Sequence, residues 1–153
     1  MLSIVKDEGE LRKPSSAVTK EDIDTLEFLD FVKEMIKICE DNKGIALAAP
    51  QLGVHTRVVV VNLWKDKFAL INPQITFYSR AIEAAEEGCL SFPGVFKSVK
   101  RSKKIRVKAL NLKGQKVKIK AKDLLARVIQ HEVDHLDGVL FLDRANEILN
   151  HKS

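Results

Sequence analysis

The feature that most constrains this chain is a pair of histidines four residues apart, His131 and His135, with an acid, Glu132, directly after the first. On an α-helix, residues at this spacing lie about one turn apart and project from the same face. Apolar residues recur around them at helical spacing, at Leu124, Leu125, Val128, Ile129, Val133 and Leu136. With Asp123 as N-cap and Gly138 at the end, the pattern predicts a helix that buries one face and carries both imidazoles on or beside it.

Two neutral imidazoles on one helix face can chelate a divalent metal, which lowers the pKa of water from about 15.7 to about 7. Glu132 is placed to take a proton from that water. The alternative is a partly exposed helix whose histidines have other partners. Burial of two imidazoles beside a carboxylate costs electrostatic free energy, and a bound cation offsets that cost. The sequence therefore favours a metal site.

A catalytic metal site of this kind usually has a third protein ligand, and Cys89 is the best candidate. His55 and His151 are predicted to be solvated surface residues. Cys39 falls within a helical pattern and is predicted to pack as a small apolar residue. Cys89 lies in a predicted loop, 87–94, that could present its thiol to a metal. A buried loop thiol is the alternative, and a Cys39–Cys89 disulfide is disfavoured in an intracellular chain.

Three segments in order resemble the motifs of the peptide deformylases, which remove the N-formyl group from new bacterial and organellar polypeptides. They are Gly44–Gln51, Glu87–Ser91 and Gln130–His135. Flanking stretches also resemble the family, at Leu11–Pro14, Ile71–Pro73 and Gly138–Phe141. The resemblance covers nearly the whole chain, and three ordered motifs are far more specific than His-Glu-x-x-His alone.

The resemblance implies that Cys89, His131 and His135 bind one divalent metal. In the family this metal is characteristically Fe²⁺, and Zn²⁺, Ni²⁺ or Co²⁺ can occupy the site. A thiolate with two imidazoles suits several first-row metals, so the donor set does not choose among them.

The resemblance also implies three catalytic roles. Glu132 is the general base that activates water and later passes a proton to the leaving amine. The side-chain amide of Gln51 and the backbone N–H of Leu90 polarise the formyl oxygen. Such donors beside a Lewis-acid metal form an oxyanion site, in which loss of one donor typically costs about 2.7–4 kcal/mol.

Four residues are predicted to bind the substrate. Ala46 stands where the family usually has glycine, in a backbone segment that lines the groove. Alanine is expected to be tolerated if this segment is extended, and to impair the groove if it needs a positive φ. Ile45, Leu124 and Val128 are predicted to form an apolar slot for an unbranched methionine side chain.

Arg127 follows the same helix face and does not suit an apolar slot. Its guanidinium is expected either to turn outward or to pair with an acid such as Glu87. A Glu87–Arg101 pair beside the metal ligands is a further expectation from the sequence.

The predicted fold class is α+β, with antiparallel or mixed β-sheets packed around a central helix that carries the His-Glu-x-x-His motif, plus an N-terminal helix. That N-terminal helix is expected to begin at Thr19 and to continue to about Asn42. Strands are predicted at 56–63, 68–71, 74–78 and 81–86, followed by a hairpin at 104–109 and 116–120. With 153 residues, of which 45% are hydrophobic, the chain is predicted to be a single catalytic domain, 1–153.

The chain has no apolar run long enough to span a membrane as a helix and no secretory signal pattern, so a cytoplasmic location is expected, with an organellar one left open. Its basic residues are concentrated in residues 97–122, which contain 12 Lys/Arg and no acid, within a net charge of +5. A solvated hairpin face explains this strip, and transient proximity to ribosomal RNA is the second interpretation. The strip contains neither interleaved aromatic residues nor a Gly-rich loop, so a sequence-specific nucleic acid is not a predicted partner. A membrane is not a predicted partner either, because no apolar run is long enough.

Two other function classes fit the residues less well. A His-Glu-x-x-His peptidase would be expected to have its third ligand downstream, where only Glu147 and His151 are available. A binding domain with a purely structural metal would need neither Glu132 nor Gln51, and its metal would be expected to have a fourth protein ligand. Both interpretations are weaker than the deformylase.

Overall fold

The computed structural model describes residues 2–145. In chain order, the helices and strands are α1 (Glu8–Leu11), α2 (Lys20–Ile23), α3 (Leu26–Asp41), β1 (Ala46–Ala48), a 3-10 helix (Ala49–Leu52), β2 (Val58–Leu63), β3 (Asp66–Tyr78), β4 (Ile82–Cys89), β5 (Phe92–Ser102), β6 (Lys104–Leu110), β7 (Lys116–Lys122) and α4 (Asp123–Leu136). Among these described residues, no helix combines the length and the apolar character that crossing a membrane requires.

The strands form two antiparallel sheets. One has five strands in the order β1-β2-β3-β6-β7, and the other is the β4–β5 hairpin, inserted between β3 and β6. All the paired strands are antiparallel. The predicted α+β class with a helix-bearing core is confirmed.

Helices cover the two faces of the five-stranded sheet unequally. Helix α4 packs against one face through Ala126, Ile129 and Val133, which contact apolar residues of β3, β6 and β7. Helix α3 packs on the opposite face, mainly against β1, β2 and the first half of β3. Strand β2 is therefore buried on both sides, which explains why its sequence is a continuous apolar run. The outer face of β6 and β7 is left facing solvent.

The predicted N-terminal helix is two helices. Thr19 caps α2 as expected, because its Oγ1 accepts a hydrogen bond from the Asp22 N–H at 3.2 Å. The expected continuation through to Asn42 is wrong, since Thr25 acts as a second N-cap and its Oγ1 accepts from the Phe28 N–H at 3.1 Å. Hydroxyl side chains compete for backbone donors in this way, and the competition ends one helix and begins the next.

Helix α4 matches its prediction except at its first residue. Asp123 is not the N-cap, because Lys122 holds that position without a side-chain hydrogen bond and Asp123 begins the helix at φ 55°. Gly138 follows the end of α4 in the left-handed region, at φ 73°. A Cβ at Gly138 would collide with the Arg12 carbonyl, so both the backbone conformation and the space require glycine.

The observed strands differ from the predicted ones in where they begin and end and in their number. The expected strands 68–71 and 74–78 are one strand, β3, whose register shifts between Ile71 and Gln74 where Pro73 interrupts the ladder. Strands β1 and β5 were not predicted, because β1 is very short and β5 begins at Phe92-Pro93-Gly94, which suggests a loop. The β6–β7 hairpin is confirmed, with Lys104 opposite Lys122 and Leu110 opposite Lys116.

Candidate active site

Helix α4 and strand β4 bring three potential metal ligands together. His131 and His135 lie on one face of α4, with ring centroids 5.1 Å apart. The Cys89 Sγ lies 3.4 Å from the His135 Nε2. The ligand atoms of these three residues all lie within 4.8 Å of one another. Cys89 is not in a loop, as the sequence suggested, but is the last residue of β4, where it pairs with Phe92 across a tight turn.

This donor set suits a four-coordinate metal. A metal with bonds of about 2.3 Å to sulfur and about 2.0–2.1 Å to nitrogen separates those two atoms by about 3.5 Å in tetrahedral geometry. The observed Cys89–His135 separation of 3.4 Å is close to that value. Three protein ligands leave one position for water or substrate, as in catalytic sites. The residues therefore fit a catalytic divalent metal.

Glu87 orients the first histidine and is itself held by two arginines. Its Oε1 accepts a hydrogen bond from His131 Nδ1 at 2.9 Å, which leaves the Nε2 lone pair of His131 for a metal. Glu87 also accepts from Arg101 at 2.9 and 3.0 Å and from Arg127 at 2.6 Å. Burial raises the pKa of Glu87, but the hydrogen bonds and charges of His131 and Arg101 outweigh it and lower that pKa to about 2, so Glu87 is a carboxylate.

The structure shows the partners of both Arg127 and Arg101. Arg127 pairs with Glu87 and does not turn outward, and its guanidinium also donates to the carbonyls of Val99 at 2.8 Å and Glu83 at 2.6 Å. The expected Glu87–Arg101 pair is present, and Arg101 further donates to Asp134 at 2.6 Å. The sequence placed Arg101 in the basic strip, whereas this side chain is buried.

The surroundings of His131 stabilise positive charge. Burial alone would lower the pKa of His131, but the neighbouring Cys89 and Glu87, together with the charge of Glu132, raise it to about 10. A group that attracts a proton this strongly also attracts a divalent cation, which would replace the proton on the imidazole. The electrostatics and the donor geometry thus favour the same occupant.

Glu132 has the environment of a general base. Its Oε1 lies 3.8 Å from His131 Nε2, and its buried Oε2 has no hydrogen-bond partner among residues 2–145. Burial is the main cause that raises the pKa of Glu132 to about 7. A carboxylate that exchanges its proton near neutral pH can both accept and return one during a reaction.

Gln51 is buried beside Cys89 with its amide orientation fixed. Its Oε1 accepts from the Ala48 N–H at 2.9 Å, so its NH₂ group points toward the ligands and lies 3.3 Å from Cys89 Sγ. The same NH₂ group lies 3.3 Å from Ser91 Oγ, a residue that the sequence did not single out. The backbone N–H of Leu90 donates to no acceptor in the described part of the chain. Two donors are therefore available beside the three ligand atoms.

The four predicted substrate residues line one groove beside these groups. The groove has a volume of about 930 Å³ and includes Ile45, Ala46, Leu124 and Val128. Ile45 and Leu124 are partly exposed at its rim, at 46% and 43%, whereas Val128 is 6% exposed. Sequence reasoning missed walls from distant segments, namely Leu2 and Ile4 near the N-terminus and Phe92, Val95 and Phe96 on β5.

Ala46 adopts the extended conformation that accommodates alanine. It lies in β1 opposite Val61 and is not among the residues with positive φ. Because the Asn62 N–H donates to the Ile45 carbonyl at 2.7 Å, the alternation of antiparallel pairing turns the N–H and C=O of Ala46 away from β2. Strand β1 is an edge of its sheet, so these two groups face the groove.

The remaining ligand candidates lie apart from the groove. His55 is part-buried, with its Nε2 3.3 Å from Glu10 Oε2, and is not a solvated surface side chain as predicted. Cys39 is fully buried on α3, as predicted, and both Cys39 and Cys89 are free thiols. His151 and Glu147 lie outside the described residues.

Comparison with known proteins gives a consistent result over the whole chain. The family model described as polypeptide deformylase matches residues 1–151. A peptide deformylase of Natranaerobius thermophilus is 46% identical over 143 residues, which cover 93% of this chain and 90% of that protein. The crystal structure of peptide deformylase from Thermotoga maritima superposes with a TM-score of 0.89 at 41% identity, covering 94% of this chain and 97% of that one. A Met-Ala-Ser-bound class I type b peptide deformylase from Acinetobacter baumannii gives a TM-score of 0.90 at 30% identity, with coverage of 94% and 98%.

Proposed function

The chain belongs to the polypeptide deformylase family, and from that premise we propose which of its residues carry out the reaction. It is a metal-dependent hydrolase that removes the N-formyl group from newly made polypeptides and releases formate.

We propose that Cys89, His131 and His135 hold the metal. When bound, a divalent metal acts as a Lewis acid on the formyl oxygen and lowers the pKa of water. Glu87 supports this arrangement by fixing the tautomer of His131 through the 2.9 Å hydrogen bond to Nδ1. Fe²⁺ is the proposed metal in the cell, with Zn²⁺, Ni²⁺ or Co²⁺ able to replace it, because thiolate and imidazole donors accept all four.

Glu132 is the proposed proton carrier. Its Oε2, which has no hydrogen-bond partner among residues 2–145, accepts the proton of the attacking water, and the oxygen of that water forms a bond to the formyl carbon. The C–N bond then breaks, and Glu132 returns the proton to the leaving amine, so the carboxylate is regenerated with formate and a free N-terminus. The pKa of about 7 at Glu132 suits both transfers.

Gln51 and Leu90 are the proposed donors to the developing oxyanion. The Ala48 N–H holds the Gln51 amide with its NH₂ group toward the site, so the donor needs no rearrangement during the reaction. The Leu90 N–H follows Cys89 directly at the β4–β5 turn. Preorganised donors of this kind stabilise the transition state more than the substrate.

The peptide is proposed to bind as an added strand along β1. The outward N–H and C=O of Ala46 offer one pair of backbone hydrogen bonds at the sheet edge. Ile45, Leu124 and Val128 then receive the methionine side chain, because they provide the apolar surface beside Glu132. This mode places the formyl group at the ligand cluster and the rest of the peptide along the groove.

The observation that carries this proposal is the buried side chain of Glu132, whose Oε2 has no hydrogen-bond partner in the described part of the chain, beside three converging ligand atoms. Its test is formate release from formyl-Met-Ala-Ser by anaerobically prepared protein, with the metal content determined on the same sample. Glu132→Gln should retain metal and lose about 100-fold or more in kcat. Glu21→Gln, an exposed acid on α2, is the matched control and should retain full activity. Unchanged turnover in Glu132→Gln would exclude Glu132 as the base.

Three wider proposals follow from the activity. The chain works as one catalytic domain, supported by the family match over residues 1–151. It acts in the cytoplasm of a bacterial-type cell on N-formylmethionyl nascent peptides, supported by its bacterial relatives. It also works close to the ribosome, where such peptides emerge, and ribosome co-sedimentation that persists at moderate salt tests this point.

A further inference from the structure

The solvent-facing side of β6 and β7 is a uniformly basic surface, here called the basic face. Its seven exposed cations are Lys104, Arg106, Lys108, Lys116, Lys118, Lys120 and Lys122. Their apolar neighbours on the same strands, including Ile105, Val107 and Ala121, point to the other side and pack against α4. On the same sheet side, the core that contains α3 covers β1, β2 and part of β3 and reaches β6 only at Leu110, so among residues 2–145 no helix packs over the seven cations.

The cations of the basic face lie directly opposite one another on β6 and β7. Lys104 is directly opposite Lys122, Arg106 is opposite Lys120, and Lys108 is opposite Lys118. Like charges at directly opposite positions destabilise a sheet. Within residues 2–145, none of the seven cations forms a salt bridge that would relieve this repulsion.

Protection of a sheet edge explains only part of this pattern. Lysines on an edge strand prevent pairing with other chains, and β7 is an edge strand. Strand β6 lies between β3 and β7, so its three cations cannot serve that purpose. A surface kept soluble by charge would also be more stable with both signs interspersed. A polyanion lying across both strands would relieve this repulsion.

An aromatic side chain from a third strand lies at the same surface. Phe77 of β3 pairs with Arg106 of β6, and the guanidinium carbon lies 4.9 Å from the centre of its ring. Phe77 is 43% exposed. Together with Lys104, Arg106, Lys120 and Lys122 it lines a shallow depression of about 300 Å³. Sequence reasoning did not predict an aromatic residue at the basic strip, because Phe77 precedes Lys104 by 27 residues in the chain.

We propose that the basic face binds single-stranded RNA, with its phosphates along β6 and β7 and one base against Phe77. Alternate residues on a strand are about 6.6–6.8 Å apart, so the cations form two parallel rows along which a sugar–phosphate backbone can run. Basic grooves with aromatic platforms bind single strands without sequence preference. The basic face lies on the sheet side opposite α4, so bound RNA leaves the peptide groove open.

RNA binding by the basic face rests on the proposed action close to the ribosome. Its test measures RNA binding alone and formate release is measured separately, so failure of RNA binding is distinguishable from failure of the proposed function. The probe is a fluorescein-labelled oligouridine of about 20 nucleotides, titrated with metal-loaded enzyme and followed by anisotropy from about 50 to about 200 mM salt. The test variant is Lys118→Glu/Lys120→Glu. The matched control is Lys33→Glu/Lys37→Glu, two exposed lysines on α3 with the same change in net charge.

The expected result is binding that weakens steadily with salt, a loss of about tenfold or more in the test variant and a loss of less than about twofold in the control. Phe77→Leu should weaken oligouridine binding about fivefold or more and leave inorganic polyphosphate binding unchanged. Formate release from a short formyl peptide should be the same in both lysine variants, which shows that they fold. Equal losses in test and control variants, or binding only to phosphatidylserine vesicles, would overturn the proposal.

Discussion

The Nδ1 atom of His131 lies 2.9 Å from Oε1 of Glu87, a residue 44 positions earlier in the chain. Through this one hydrogen bond, the strand that ends at Cys89 also orients a ligand on helix α4. Burial alone would raise the pKa of Glu87, but the hydrogen bonds and charges of His131 and Arg101 lower it to about 2 and keep the carboxylate charged. The proposed metal site therefore depends on a buried ion network that contributes no ligand itself.

Glu87→Gln should weaken metal binding. The amide can still contact His131, but it lacks the negative charge that favours a cation on the ring, so the affinity should fall by about 10–100-fold. Competition with a chromophoric chelator measures this change. Glu83→Gln, an exposed acid on the same strand, is the control and should match the unmodified protein. Equal affinity in Glu87→Gln would show that the network serves stability alone.

Arg127→Met should destabilise the fold while keeping an apolar side chain in the groove wall. Arg127 joins α4 to both strands of the β4–β5 hairpin, through hydrogen bonds to Glu87, to the Val99 carbonyl and to the Glu83 carbonyl. Its loss should lower the free energy of unfolding by about 1–3 kcal/mol, measured in urea at fixed metal occupancy.

The control for Arg127→Met is Arg80→Met, since Arg80 is exposed between β3 and β4. That variant should change the free energy of unfolding by less than about 0.5 kcal/mol. If both variants unfold at the same urea concentration, the Arg127 hydrogen bonds contribute no net stability.

Cys39 should resist alkylation in the native protein. Burial, aided by the charges of Glu132 and Glu40, raises the pKa of Cys39 to about 12. Its thiol therefore stays protonated until the pH rises toward about 12, and the protonated form is not nucleophilic. At pH 8, iodoacetamide should modify Cys89 after treatment with a chelator and should modify Cys39 only in urea, as determined by peptide mass spectrometry. Labelling of Cys39 in the folded enzyme would contradict this expectation.

Ala46→Gly should change turnover little. Ala46 is extended in β1, so its methyl group causes no backbone strain, and its outward N–H and C=O remain in glycine. We expect kcat/KM to change by less than about threefold and the free energy of unfolding to fall by about 0.5–1 kcal/mol, because glycine weakens a strand. Steady-state kinetics with formyl-Met-Ala-Ser measure the first quantity. A large gain in the glycine variant would show that alanine narrows the groove.

The local features of the site followed from the sequence. The spacing of His131 and His135 places both on one face of α4, and Gly138 ends that helix as expected. Both follow from helix geometry and from the conformational freedom of glycine, which act over a few residues. The N-cap at Thr25 was not predicted, because the apolar periodicity of residues 19–42 continues across the break between α2 and α3 and hides it.

Only the tertiary structure decided the contacts between distant segments. From the sequence, the Arg127 guanidinium could either turn outward or pair with an acid. It pairs with Glu87 because β4 and β5 lie against α4. The same holds for the groove walls at Leu2 and Phe96 and for Phe77 on the basic face. By itself, the sequence determined which residues are proposed for the chemistry and the helix that carries two of them, because periodicity and capping are local. The partners of those residues depend on strand register and sheet order, and hydrogen bonds and packing between distant segments fix both.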